Sequence, residues 1–147
     1  MKGRNESAMG SFRLEIPRNY DASPERVFRA WTDPASMKAW LAEGGDVVAD
    51  PRPDGLFYLG MQHSSGIRPH YGRYLRVESP HLLEFTWVSE HTLGKESVVT
   101  LEFTPRGRQT ELRLTHEGLP DERMAMAHTE GWTFFLDTLV ARLGGEG

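Results

Sequence analysis

Imidazole is the side chain that changes charge nearest neutral pH, with an ordinary pKa of about 6.5. The six histidines are therefore the groups of this chain best suited to move a proton or orient a ligand. Periodicity turns two of them toward an interior. In the strand predicted from Gln109 to Glu117, Leu112, Leu114 and His116 share one face, and Glu111, Arg113 and Thr115 take the other. In the long helix predicted near the C-terminus, His128 shares the apolar stripe of Ala125, Trp132, Phe135, Leu136 and Leu139. Both rings are expected to face one space between sheet and helix. Each is either a hydrogen-bonded core histidine or a polar group offered to a ligand; a neutral ring donates one hydrogen bond and accepts another. Used as an acid or base, the same ring would serve a cyclisation, dehydration or hydrolysis. Arg73 is the third candidate, since simple alternation places it on the face of Tyr71, Leu75 and Val77. A buried guanidinium needs a partner. Either a bulge near Gly72 turns Arg73 to solvent, or it meets a carboxylate of the protein or of a ligand.

Other chemistries lack their residues. There are no cysteines, which excludes disulfides, thiolate nucleophiles and thiolate zinc sites. The histidines show no metal spacing such as His-Glu-x-x-His, and the chain carries no Gly-x-Ser-x-Gly, phosphate-binding or dinucleotide fingerprint. No metal or cofactor is expected. Aromatic residues, Trp31 and Trp40 among them, are core by default, and some are expected to line a pocket as well. The candidate walls are Phe57, Leu59 and Met61, which alternate on one strand, Phe85 and Trp87 on another, and Trp132 and Phe135 on the last helix.

The elements that carry these residues follow from local signals. Phe12, Leu14 and Ile16 alternate with polar residues, and Pro17 ends that strand or marks an edge. Ser23-Pro24-Glu25 and Asp33-Pro34 each place a capping side chain before a helix-opening proline. From Asp46 the period becomes two. Strands are predicted at 47–50, 57–61, 71–78, 82–88, 97–104 and 109–117, broken by Asp54-Gly55, Ser64-Ser65-Gly66, Ser79-Pro80, Gly94-Lys95 and Pro105 to Arg108. Asp121 caps the last helix, which runs to about Leu143 and stops at Gly144-Gly145. Gly131 is expected to let that helix approach the sheet closely. Strands without intervening helices make an antiparallel meander, so the fold class is α+β. Seven curved antiparallel strands should wrap the long C-terminal helix, with two short helices after strand 1.

Composition sets the outer limits. The chain has 147 residues and a formal net charge of −4, which suits one domain, residues 12–143, after a flexible tail at 1–11. An acidic balance argues against a nucleic-acid partner. No apolar run reaches the ~20 residues of a membrane helix, and the N-terminus has no signal-like segment. A cytoplasmic monomer or homodimer is expected, with a small apolar molecule as its partner.

The run Ala22-Ser23-Pro24-Glu25-Arg26-Val27-Phe28-Arg29-Ala30-Trp31-Thr32-Asp33-Pro34, followed by Trp40, resembles the opening of the helix-grip (START-like, SRPBCC) superfamily. It is nearest the branch named after the activator of the heat-shock protein 90 ATPase. Asp50 to Phe57 is similar to that branch's arginine-proline-glycine-glycine turn, with Asp54 where the first glycine usually stands. Gly72 to Pro80, Phe85-Thr86-Trp87, Thr110 to His116 and Gly131-Trp132 continue the resemblance. It implies a cavity between the sheet and the last helix; relatives bind lipids, polyketides, hormones and other apolar molecules, and some are cyclases or aromatases. The eukaryotic co-chaperone of the branch carries an additional N-terminal domain, for which this length leaves no room. Binding of a small, largely apolar ligand is the leading expectation. A cavity enzyme and a co-chaperone-type interaction domain are the alternatives. A dry apolar cavity would favour the first, and a filled core with an exposed apolar patch the last.

Overall fold

Three side-chain caps start the three helices of the computed structural model, which describes residues 12–42, 45–63, 66–143 and 145–146. Ser23 Oγ accepts the amide of Arg26 at 3.3 Å, and Pro24 opens α1, Pro24–Thr32. Asp33 closes α1 and accepts the amide and hydroxyl of Ser36 at 3.1 and 3.0 Å, which opens α2, Pro34–Trp40. Asp121 accepts the amide of Met124 at 2.8 Å at the start of α3, Glu122–Leu143. The predicted stop at Gly144, the turn residues Ser64 and Ser65 and the tail at 1–11 lie outside the described residues.

The strands are β1 (Phe12–Tyr20), β2 (Val47–Ala49), β3 (Leu56–His63), β4 (Gly66–Glu78), β5 (Leu82–Trp87), β6 (Ser97–Arg106), β7 (Gln109–Leu119) and the two-residue β8 (Gly145–Glu146). They pair antiparallel in the order β2-β3-β4-β5-β6-β7-β1-β8. This is the expected seven-stranded sheet, with β8 added beside Asn19 and Tyr20 alone. β1 runs on through Pro17, which pairs with Arg113 of β7 near the edge of the sheet, where a missing amide is tolerated.

The helices cover one face. α3 packs on β1 and β7, α1 on β6 and β7, and α2 beside β2 and α3. The Tyr20 hydroxyl donates to the Leu136 carbonyl at 3.1 Å, fastening β1 to α3 inside the core. Trp132, Leu136 and Leu139 form the buried stripe of α3. At the β2–β3 turn Asp54 has φ +67°, a left-handed conformation that glycine adopts freely and aspartate tolerates. That is the physical reason a glycine stands there in the resembled turn. Gly72 is needed for a different reason, since a Cβ there would collide with the Thr86 carbonyl and the Phe57 ring.

β4 departs from simple alternation. Its pairing with β5 shifts register between Tyr74 and Arg76. Ahead of the shift His70 and Tyr74 are buried while Tyr71 is exposed; beyond it Val77 packs against the core. Arg73 therefore lies on the outer face, and its Nε and Nη2 donate to Glu96 at 3.2 and 3.4 Å. The expected inward face of Tyr71 and Arg73 is corrected by a bulge two residues later than anticipated, and the partner is a carboxylate of the protein.

Candidate functional site

Between the inner face of the sheet and the α1–α2 pair lies a void of about 10 Å³, roughly the room one water needs. The sheet contributes Phe57, Leu59, Tyr74, Phe85 and Trp87; the helical side contributes Trp31, Met37 and Leu41. Four of these, Phe57, Leu59, Phe85 and Trp87, are residues the periodicity selected. The expected space lay against the last helix, but no residue of α3 lines this void. Trp132 stands one layer back, with its ring 4.9 Å from Trp87 and 5.9 Å from Trp31.

The wall is apolar. Trp31 Nε1, Tyr74 Oη and Trp87 Nε1 are the buried side-chain polar atoms among the described residues that make no hydrogen bond, and all three belong to residues lining this one void. Their counterparts elsewhere in the core are satisfied. Trp40 Nε1 donates to the Ala30 carbonyl at 2.7 Å, and Trp132 Nε1 donates to His116 Nδ1 at 2.9 Å. A buried polar group without a partner costs about 1–3 kcal/mol. Burial, with Asp50 as a lesser cause, pushes the Tyr74 phenol well above its ordinary pKa, so it remains an uncharged O–H.

His116 and His128 do meet, as parity and stripe position require, with ring centroids 4.9 Å apart. His116 is fully buried, and both its nitrogens are engaged. An indole N–H is a donor only, so His116 Nδ1 must accept from Trp132 and the proton must sit on Nε2. Nε2 then donates to Ser97 Oγ at 2.7 Å, and Ser97 donates to the Trp87 carbonyl at 3.0 Å. Desolvation, with His128 as a lesser cause, holds the His116 pKa well below its ordinary value. His116 is thus a neutral strut that ties β7 to α3 and β6, the core histidine of the two readings. For His116 to transfer a proton, one of these buried bonds must break first. His128 Nδ1 donates to the Met124 carbonyl one turn back, at 2.8 Å.

The remaining candidates are separated from the void. Met61 is buried on β3. Phe135 is half-buried and packs edge-on against Phe134 at 5.4 Å. Arg73 is on the far side of the sheet. Met37, Leu41 and Tyr74 were missed: the first two lie in and just after a short helix, and the bulge hides the inward parity of Tyr74. Among the described residues no group of three or more histidines and carboxylates is arranged to hold a metal, and no helix is long and apolar enough to cross a membrane.

Gly131 does not serve close approach, because a Cβ there would meet nothing within 4 Å. A mid-helix glycine in open space carries backbone entropy that alanine would not. Gly131→Ala is expected to raise stability by about 0.4–1 kcal/mol, read as a higher urea midpoint at unchanged slope. A loss of stability would show an unseen contact at that position.

A family model described as activator of Hsp90 ATPase homolog 1-like protein matches residues 21–144. No curated protein sequence matches the chain. Among solved structures, an HSP90 activator from Plasmodium falciparum is 27% identical, with a TM-score of 0.76 over 90% of this chain and 96% of that one. CalU16 from Micromonospora echinospora is 29% identical, with a TM-score of 0.75 over 91% of this chain and 77% of that one. A protein from Rhodobacter sphaeroides is 30% identical, with a TM-score of 0.75 over 89% of this chain and 91% of that one.

Proposed function

We propose that this chain, which belongs to the activator of Hsp90 ATPase homolog 1-like family, binds a small, largely apolar molecule that carries a hydrogen-bond acceptor. The observation that supports this reading is that Trp31, Tyr74 and Trp87, whose Nε1, Oη and Nε1 atoms are buried without partners, all line one apolar void. Indole nitrogens only donate, so a carbonyl or ether oxygen among them would satisfy what the protein leaves unsatisfied. A ligand larger than a water must part the wall. Met37 and Leu41, from α2 and the residue that follows it, are the side chains to do so, the unbranched Met37 being the more adaptable. Members of this fold bind hydrophobic ligands or act as cyclases or Hsp90 activators.

Native mass spectrometry of protein purified without denaturation tests this directly, with a co-purified mass of one small molecule as the expected result. Tyr74→Phe supplies an independent measurement. Deleting an unpartnered hydroxyl without changing the ring should stabilise the unliganded protein by about 1 kcal/mol and weaken retention of the molecule. A protein that carries no ligand and loses stability on Tyr74→Phe would end the proposal.

The interaction-domain reading rests on a different surface. Val48, Tyr58 and Tyr71 align across β2, β3 and β4 on the outer face of the sheet, with the two tyrosine rings 5.4 Å apart, and Leu56 nearby is exposed. Such a face supports docking to a protein, as the likeness to the Plasmodium activator suggests. Measuring Hsp90 ATPase turnover with the wild type and with Tyr71→Asp decides it. No stimulation by either would dismiss this reading.

A further inference from the structure

Away from that void, α1, α2 and the C-terminal end of α3 enclose a groove of about 450 Å³. It shares no lining residue with the void. Its apolar surface comes from the exposed Ala35 and Ala39 and the half-buried Leu143, with Ala30, Trp40 and Leu139 buried beneath, and its charge from Arg26, Arg29 and Arg142; among the described residues no carboxylate lines it. Three guanidiniums in one groove run against the composition of a chain with net charge −4.

The pairing of the arginines sharpens the point. Ion pairs engage eight of the thirteen arginines among the described residues, leaving Arg26, Arg29, Arg108, Arg123 and Arg142. Three of those five line this groove. The helices place them there. Arg26 and Arg29 are one turn apart on the same side of α1. Arg142 stands in the last turn of α3, where its Nη2 donates to the Ala39 carbonyl of α2 at 3.2 Å. Asp33, next to the groove residue Ser36 in space, is committed to capping α2. Like charges held together without a counter-charge are relieved by an anion, and guanidinium matches phosphate and carboxylate oxygens two at a time.

We infer that this groove binds a small organic anion, whose phosphate or carboxylate meets Arg26, Arg29 and Arg142 while its apolar body lies on Ala35, Ala39 and Leu143. The volume falls within the ~300–1,000 Å³ of small-molecule sites. The inference is independent of the interior ligand proposed above and survives its failure.

Phenyl phosphate, inorganic phosphate and benzoate, titrated calorimetrically into the full chain, are the probes. Phenyl phosphate is expected to bind one per chain and more tightly than inorganic phosphate, because only it covers the apolar surface. Benzoate separates carboxylate from phosphate preference. Arg26→Gln and Arg29→Gln should each weaken binding roughly threefold to tenfold, the loss of one charge-assisted contact. The double variant should abolish it, and raising salt should weaken it. Arg108→Gln, outside the groove, should change nothing, and urea midpoints of all variants should stay close to wild type. Absence of saturable binding by both phenyl phosphate and benzoate would overturn the inference. So would binding that Arg26→Gln and Arg29→Gln leave intact.

Discussion

Replacing Trp132 by alanine is expected to cost about 3–5 kcal/mol, the range for emptying a large aromatic site in a packed core. Only 3% of the side chain is exposed, and its ring packs against those of Trp31, Trp87 and His116. The substitution removes these contacts and also strands His116 Nδ1, which accepts the indole N–H. Trp132→Phe separates the two effects. It keeps most of the ring and deletes the donor, so about 1–3 kcal/mol should be lost from the unsatisfied imidazole nitrogen. Urea unfolding followed by circular dichroism gives both numbers from midpoints at a common slope. A loss below about 1 kcal/mol for Trp132→Ala would contradict its place as the central packing residue of α3.

Acidification should destabilise the domain through His116. Its folded-state pKa lies well below the ordinary 6.5, mainly through burial. Above pH 6.5 the ring is neutral in both folded and unfolded chains, and pH has no leverage through it. Below 6.5 the unfolded chain takes up a proton that the folded protein refuses, so the unfolded state binds more protons and stability falls with falling pH. The decline approaches about 1.4 kcal/mol per pH unit and continues until the folded-state pKa is reached. The groups facing His116 are Trp87, Ser97, His128 and Trp132, and of these only His128 shares its imidazole chemistry. His116→Gln retains an acceptor for Trp132 and a donor for Ser97 but has no proton to gain. Stability measured between pH 7 and 5 should therefore fall more steeply in the wild type than in His116→Gln. Parallel pH curves for the two proteins would mean that His116 is not the responsible group.

Local signals carry the elements because the interactions that start and stop them span only a few residues. Ser23 reaches Arg26, Asp33 reaches Ser36, and Asp121 reaches Met124, and each cap is legible from neighbours in the chain. Period-two runs from Val47 to Glu117 name the strands for the same reason, and order along the chain predicts their meander. The inward direction of His116 and His128 belongs to this class, since each depends on the pattern of its own element alone.

What stands opposite an inward residue is a different matter. Arg73 faces solvent and Tyr74 the void because β4 shifts register against β5, and a bulge reverses every parity on one side of it. His116 is a strut because Trp132 and Ser97, distant in sequence, take both its nitrogens. Gly131 proves open because no neighbouring element comes within 4 Å of where its Cβ would stand. Arg142 joins Arg26 and Arg29 across more than a hundred residues only when α3 returns beside α2. Periodicity therefore determines which face of an element is buried, and packing between elements decides what each buried group meets, because hydrogen-bond partners and voids are properties of pairs.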